Sequence, residues 1–304
     1  PQSLQQLVEI TKVKNEWALK MVLMKLANEG IFLSKVEGEE RLFWHTMGEL
    51  AVEEIKVFSN MARIVNYRQL HSATDSILQG KAMGLANTYP DCSSFDELTE
   101  SGRHPEVSKV YKPFLQISTG VYMSGLLGEL DFSEYTNVLD FGGMWGHNSI
   151  ELCKACPKLV TTVLDSPAKI ADVPANLAAH GVDSKRVQTI AVDWSAPLEL
   201  PETYDCVLAV NCFHHHEKDL LRFFAAIKKA LRPGGKFIIM QQIDGPHNSE
   251  ESNLVNAKIS AMQWCCIDAN RVMQTLDGLT RLLKTVGFSK IDHFVCPAAT
   301  PANP

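Results

Sequence analysis

From residue 131 onward the chain alternates short apolar runs, rich in β-branched residues, with stretches of helical periodicity. The runs are Val138-Leu139-Asp140-Phe141, Val160-Thr161-Thr162-Val163-Leu164, Val187-Gln188-Thr189-Ile190-Ala191-Val192, Cys206-Val207-Leu208-Ala209-Val210 and Phe237-Ile238-Ile239-Met240. A strand that is apolar along its whole length is covered on both faces, and helices between such strands supply the cover. The pattern therefore predicts βα units: an α/β domain over 131–296, built on a doubly wound, mostly parallel sheet.

The first part of the chain reads differently. From Leu4 apolar residues recur at helical spacing, as in Trp17, Met21, Met24 and Leu26, until Asn28-Glu29-Gly30 supplies a stop. Ile31-Phe32-Leu33 and Arg41-Leu42-Phe43-Trp44 then flank the turn-like Glu37-Gly38-Glu39-Glu40, with a further helix expected from Met47. Helix, hairpin, helix is the outline of a winged helix, although periodicity alone equally allows a generic helical hairpin. The expected domains are a helical, winged-helix-like 1–95, a helical connector over 96–130, the α/β domain over 131–296, and a linker-like Pro/Ala tail over 297–304.

Composition narrows the partners. With 35 acidic against 29 basic side chains the net charge is -6, and no block of Lys and Arg interrupts the sequence. A nucleic-acid partner, which requires a basic surface, is not expected. No apolar run reaches the roughly 20 residues of a membrane span. Eight irregularly spaced cysteines, including Cys153-x-x-Cys156 on a predicted helix, read as reduced packing residues and point to the cytoplasm. Pro1 opens the chain without a signal segment, so a piece cut from something longer is one expectation.

The segment with most chemical content is Asp140-Phe141-Gly142-Gly143-Met144-Trp145-Gly146-His147, between a predicted strand and a helix. A glycine-rich strand-to-helix turn lets backbone approach a ligand at the carboxyl edge of a Rossmann-like sheet. Asp165 follows at the end of the second strand, where a carboxylate can hold both ribose hydroxyls. Asp193-Trp194 follows the third strand, where an acid can accept from an adenine amino group and an indole can cover the ring.

Together these elements resemble class I S-adenosylmethionine-dependent methyltransferases, in particular small-molecule O-methyltransferases with a winged-helix domain in front. The resemblance includes Leu164-Asp165-Ser166-Pro167, Ala230-Leu231-Arg232-Pro233-Gly234-Gly235-Lys236 and the late Leu282-Leu283-Lys284-Thr285-Val286-Gly287-Phe288. It implies S-adenosylmethionine as cofactor, with Gly142, Gly143 and Gly146 at the methionine portion, Asp165 at the ribose, Asp193 with Trp194 at the adenine, and Asp140 among the cofactor-binding residues. Met144 replaces a motif glycine, and bulky Trp145 stands beside it, which places side chains where backbone usually passes closest to the cofactor.

After the fourth strand comes Asn211-Cys212-Phe213-His214-His215-His216-Glu217. The resemblance implies His214 as the base that removes the acceptor's proton, and His215 is a second candidate catalytic residue. An imidazole suits that task near neutral pH. With Glu217, Gln241, Gln242 and His247 the histidines also have the ligand types of a mononuclear metal site, though neighbouring strand residues point to opposite faces, and a metal is not the favoured expectation. The expected function is a methyltransferase domain of a polyketide synthase that methylates carbon on a carrier-protein-bound acyl group through an enolate. The alternative is a stand-alone O-methyltransferase of a phenolic or enolic small molecule, and a cofactor-binding scaffold without methyl transfer is the third reading. Ala261 to Cys266 is expected to line the acceptor or to pack on the N-terminal layer.

Overall fold

The computed structural model describes residues 1–28, 33–38, 40–44, 56–57, 59–100, 102–201, 203–245 and 273–296. The expectations for Ile31, Phe32, the helix from Met47, His247, 261–266 and the tail fall outside them. The chain divides into two compact units, Pro1–Lys56 and Val57–Pro304.

The first unit contains β1 (Gln2–Ser3), α1 (Leu4–Thr11), α2 (Glu16–Asn28), β2 (Leu33–Glu37) and β3 (Glu40–Trp44). Ser3 and Gln6 form a reciprocal capping box that starts α1. The helical run is interrupted where Lys12 turns left-handed at φ 53°, and Asn15 restarts it by accepting the Ala18 N–H. Trp17 and Met21, read as helix-periodic apolar residues, are exposed. The expected hairpin is present: β2 and β3 pair antiparallel from Leu33 opposite Trp44 to Glu37 opposite Glu40, and β1 adds to β3.

The second unit holds the helices α3 (Tyr67–Leu70), α4 (Ala73–Gln79), α5 (Gly84–Thr88), α6 (Phe95–Leu98) and α7 (Pro105–Glu129) ahead of the sheet. Then come β4 (Asn137–Phe141), α8 (His147–Ala155), β5 (Val160–Asp165), α9 (Pro167–Ile170), α10 (Val173–Ala179), β6 (Val187–Ala191) and β7 (Tyr204–Val210). After these come α11 (Glu217–Ala230), β8 (Leu231–Met240), the short β9 (Ile243–Asp244) and β10 (Gln274–Thr275), and α12 (Leu276–Thr285). All five predicted strands are present in one parallel sheet, ordered β6-β5-β4-β7-β8. The change of texture at residue 131 thus marks where the sheet begins within this unit.

Strand periodicity sorts the core into two layers. Leu139, Phe141, Val207 and Ala209 face α11 and α12, packing with Phe223, Phe224, Ile227, Leu279 and Leu282. Val138, Cys206 and Leu208 face Met123 and Leu126 of α7 and Leu152 of α8. The amino ends of β4, β7 and β8 are tied by Asp205. Its Oδ2 accepts from the Thr136 N–H and hydroxyl and the Asn137 N–H, and Oδ1 takes Arg232 at 2.7 Å. Gly235 is required there because a Cβ would lie 2.9 Å from the Arg232 carbonyl and 3.0 Å from that of Asp205. Cys153 and Cys156 are free thiols at the end of α8, and their carbonyls accept from Arg186, which closes that helix terminus. Among the described residues no helix is long and apolar enough to cross a membrane.

The aromatic centre of the first layer gives a direct check. Phe224 is fully buried and meets Phe213 and Phe237 edge-on. Phe224→Ala is expected to cost about 3–5 kcal/mol of unfolding free energy, read by urea denaturation of the whole chain.

Candidate active site

The order β6-β5-β4-β7-β8 sends successive crossovers from β4 to opposite sides, which opens a crevice at the carboxyl end of β4. The glycine turn fills the floor of that crevice. Gly142, Met144 and Gly146 have φ of 70°, 50° and 80°, so three positions in five are left-handed as the chain reverses from β4 into α8. Both Gly142 and Gly143 donate backbone N–H to the Leu164 carbonyl of β5. A Cβ on Gly143 would lie 2.5 Å from the Asp140 carboxylate, so the turn fits only because that position is bare.

Asp140 stands behind the turn. It is fully buried and accepts from Asn148 Nδ2, Ser149 N and Ser149 Oγ at 2.9–3.1 Å, so its oxygens are engaged by the first turn of α8. Burial pushes its carboxyl up to about 6 against the opposing pull of those hydrogen bonds. His147, at the start of α8, is driven by burial down to about 4.

Met144 and Trp145 do not crowd the crevice as the sequence suggests. Trp145 is 1% exposed and packs with Met61, Ile64, Leu85 and Tyr111 of the helical layer, and Met144 packs against the same cluster. Lys112 from α7 and Lys169 from α9 each place Nζ 5.1 Å from the indole centroid. Lys169 is itself buried, donating to the Asp96 carbonyl and to the Thr99 hydroxyl. Burial lowers its ammonium pKa, while Asp96, Asp165 and Glu100 pull the other way.

Asp165 closes β5 beside the turn. Oδ1 accepts the Ser166 N–H at 2.7 Å and Oδ2 the Met144 N–H at 2.9 Å. Burial raises its carboxyl, opposed by those two donors. Beyond β6, Asp193 is exposed, and its Oδ1 accepts from the Ser195 N–H and hydroxyl, which hold it below the usual carboxylate range. The half-buried indole of Trp194 leans on Phe141 and Phe223, and Arg222 of α11 anchors the loop by donating to the Trp194 and Ala196 carbonyls. Gly142, Gly143, Gly146 and Asp165 are therefore gathered at one point, with Trp194 reaching the same strand end through Phe141.

On the other side of β4, β7 ends at Asn211, left-handed at φ 49°. His214 is buried, with the Gln241 amide nitrogen 3.2 and 3.3 Å from its two ring nitrogens. His215 is exposed and meets Phe223 edge-on, while its carbonyl accepts from Gln274. His216 precedes α11 as its cap, and Glu217 is bidentate to Arg281 at 2.7 and 2.9 Å. The three histidines thus go separate ways. Among the described residues the group with metal-ligand spacing is Asp91, Cys92 and His104, where His104 already bonds Asp91 at 3.0 Å.

The burial of Lys169 and the contact of Gln241 with His214 were not legible in the sequence. Lys169 carries one usable signal, a cation inside a short helix whose neighbours are apolar.

A parallel sheet in this order, with a glycine turn after its central strand and an acid closing the next, is the fold of the class I S-adenosylmethionine-dependent methyltransferases. The chain belongs to the O-methyltransferase domain family, whose model matches residues 70–289. It is 30% identical over 174 residues to 3-hydroxy-5-methyl-1-naphthoate 3-O-methyltransferase of Streptomyces sahachiroi, a stretch covering 57% of this chain and 47% of that protein. The chain therefore spans about half the length of that curated relative. Among solved structures it is similar to the apo S-adenosylmethionine-dependent methyltransferase SibL, with a TM-score of 0.77 at 20% identity over 99% of this chain and 87% of that one. Human N-acetylserotonin methyltransferase in complex with SAM gives a TM-score of 0.72 at 17% identity, covering 95% and 82%.

The two displaced titrations have opposite signs. Asp140, raised when folded, contributes stability that is present below about pH 4 and lost as pH rises to about 6. His147, depressed when folded, contributes stability that is present above about pH 6.5 and lost as pH falls toward about 4. Asp140→Asn removes the first effect, so the variant's unfolding free energy should climb more steeply than the parent's between pH 4 and 6. Urea titrations across that range provide the measurement.

Proposed function

We propose that the protein is an S-adenosylmethionine-dependent O-methyltransferase acting on a phenolic or enolic small molecule of natural-product biosynthesis. The observation that carries this reading is the division of the crevice: the glycine turn and Asp165 lie on the β5 side of β4, and His214 on the β7 side. The residues fit the cofactor. Each Asp165 oxygen takes one backbone donor and keeps a lone pair, enough for two ribose hydroxyls. Gly142, Gly143 and Gly146 would border the methionine portion, and Trp194, beside Asp193, would cover the adenine; Asp140 would shape the turn from behind. When bound, S-adenosylmethionine supplies an electrophilic methyl group on a sulfonium. His214 takes the acceptor's hydroxyl proton, and the oxygen keeps the electron pair with which it attacks. His215 would border the acceptor at the exposed rim.

The naphthoate relative is named for O-methylation, which supports oxygen as the acceptor atom over carbon on a carrier-bound acyl chain. Of the four cations that would greet an acidic carrier, Lys109, Lys112, Arg281 and Lys284, two are already partnered: Lys112 with Asp172 at 2.6 Å and Arg281 with Glu217. No step calls for a metal, and the separated histidines give a mononuclear site little support.

Two substitutions test the reading. Asp165→Ala should weaken S-adenosylmethionine binding by about tenfold or more in calorimetry, since hydrogen bonds to a charged group contribute about 1.5–3 kcal/mol each. His214→Ala should lower turnover by about 10² or more with cofactor affinity nearly unchanged. Cofactor affinity unchanged in Asp165→Ala, or full turnover in His214→Ala, refutes the corresponding role.

A further inference from the structure

Away from the crevice, three side chains with the chemistry of transition-metal ligands converge in the helical layer. Asp91 and Cys92 lie in the turn between α5 and α6, and His104 stands at the start of α7 as its cap. One ligand atom from each lies within 4.8 Å of the other two. His104 Nε2 faces the Asp91 carboxylate, 3.0 and 3.1 Å from its oxygens. Ligands of one tetrahedral ion sit roughly 3.3–3.8 Å apart for bonds of about 2.0–2.3 Å, so small side-chain rotations bring this set to the required spacing. On the far side of the ring, Nδ1 is 3.7 Å from the Glu106 carboxylate. An acid there favours the tautomer with its proton on Nδ1, which leaves the Nε2 lone pair aimed at Asp91. A cation between the two reconciles these facing acceptors.

The frame that carries the three side chains is fixed by other bonds. The His104 carbonyl accepts the Val107 and Ser108 N–H groups at 3.0 and 3.1 Å, and its ring meets Tyr89 edge-on. Tyr89 is anchored in turn by donating its hydroxyl to the Ile64 carbonyl at 3.0 Å. The Asp91 carbonyl accepts from Arg103 at 3.0 Å, and the Cys92 N–H donates to the Tyr89 carbonyl at 2.9 Å. Ligands held in this way lose little freedom on binding. Cys92 is buried, His104 half-buried and Asp91 exposed, so one side of the group is open for an ion to enter. The charged groups that act on Cys92 are Asp91, Glu97 and Glu100 against Arg103 alone, a balance that favours a cation.

We propose that Asp91, Cys92 and His104 form a site for one Zn²⁺ ion, which joins the α5–α6 turn to the amino end of α7. Thiolate, imidazole and carboxylate together suit Zn²⁺, whereas Mg²⁺ and Ca²⁺ select oxygen ligands. On binding, the Cys92 S–H bond breaks, its electron pair stays on sulfur and the proton passes to buffer. The fourth position is left to water. None of the three residues belongs to the cofactor or acceptor side of the crevice. Cys92 does pack in the cluster that holds Trp145, so an ion here stabilises the helical layer behind the glycine turn.

The full chain, stripped with chelator and dialysed, is titrated with Zn²⁺ in excess Mg²⁺ and, in parallel, with Co²⁺, whose thiolate charge-transfer absorbance reports a sulfur ligand. One Zn²⁺ per chain should bind. The exposed substitution Asp91→Asn should weaken it about tenfold, and Cys92→Ser about a hundredfold or more with loss of the Co²⁺ band. Saturating Zn²⁺ should raise the Tm of the parent by several degrees and leave that of Cys92→Ser unmoved. Absence of Zn²⁺ binding by the parent overturns the proposal. So does equal affinity in the parent, Asp91→Asn and His104→Asn, or a Co²⁺ band that survives Cys92→Ser, because each places the ion elsewhere.

Discussion

A carboxylate buried at the end of the central strand is the constraint around which this site is organised. Asp140 accepts three hydrogen bonds from the first turn of α8, and these fix where that helix begins. The carboxylate in turn occupies the space a side chain at residue 143 would need, so the turn must carry a glycine there. With Gly143 bare, the N–H groups of residues 142 and 143 reach the Leu164 carbonyl, and the Met144 N–H reaches Asp165. The strand carrying Asp165 is thereby locked to the turn by two hydrogen bonds between backbone groups and a third that ends on the Asp165 side chain. Desolvation alone would expel such a charge; three donors and a raised proton affinity are what make it tolerable.

The same turn is held from the helical side by less usual chemistry. Trp145 enters the layer formed by α5, α6 and α7, where Lys112 and Lys169 approach its ring and Tyr111 meets it edge-on. Its indole N–H is buried without a partner among the described residues. Lys169 is a buried cation that reaches the α6 end through Asp96 and Thr99. An ordinary glycine motif packs against backbone, whereas here a large indole joins helical layer and turn into one block. Met144 tolerates a left-handed φ because its N–H is bonded and its side chain is packed, which offsets a conformational cost of about 1 kcal/mol.

How much of this was legible beforehand follows from range. Strand positions and their parallel arrangement depend on apolar periodicity, a local signal, and all five runs became strands of one sheet. The glycine turn and Asp165 depend on spacing along one βα unit, which sequence also carries. The direction of Met144 and Trp145 is not legible there because it depends on packing against helical-layer residues some 30 to 80 positions away in sequence. The histidine run looked like a cluster only on paper. His214 goes into the core, His215 leans on Phe223 and His216 begins a helix, because the chain leaves its strand at Asn211 and must turn before α11. Gln241 meets His214 because β8 lies beside β7, a pairing that no local signal carries.

That adjacency explains how one sheet edge can serve two chemical tasks. Strands on the β5 side present acids and bare backbone, the features suited to a cofactor rich in hydroxyls and amines. Strands on the β7 side present the buried His214 imidazole, with the Gln241 amide against its ring. β4 separates them, so a methyl donor seated against the turn and an acceptor seated against His214 would meet across a single strand's width, about 5 Å. An in-line displacement needs the reacting atoms about 3–3.5 Å apart, so the two bound molecules would have to reach toward each other over β4. The topological switch at β4 therefore does more than open a crevice: it holds the glycine turn with Asp165 and the buried His214 on opposite sides of one strand.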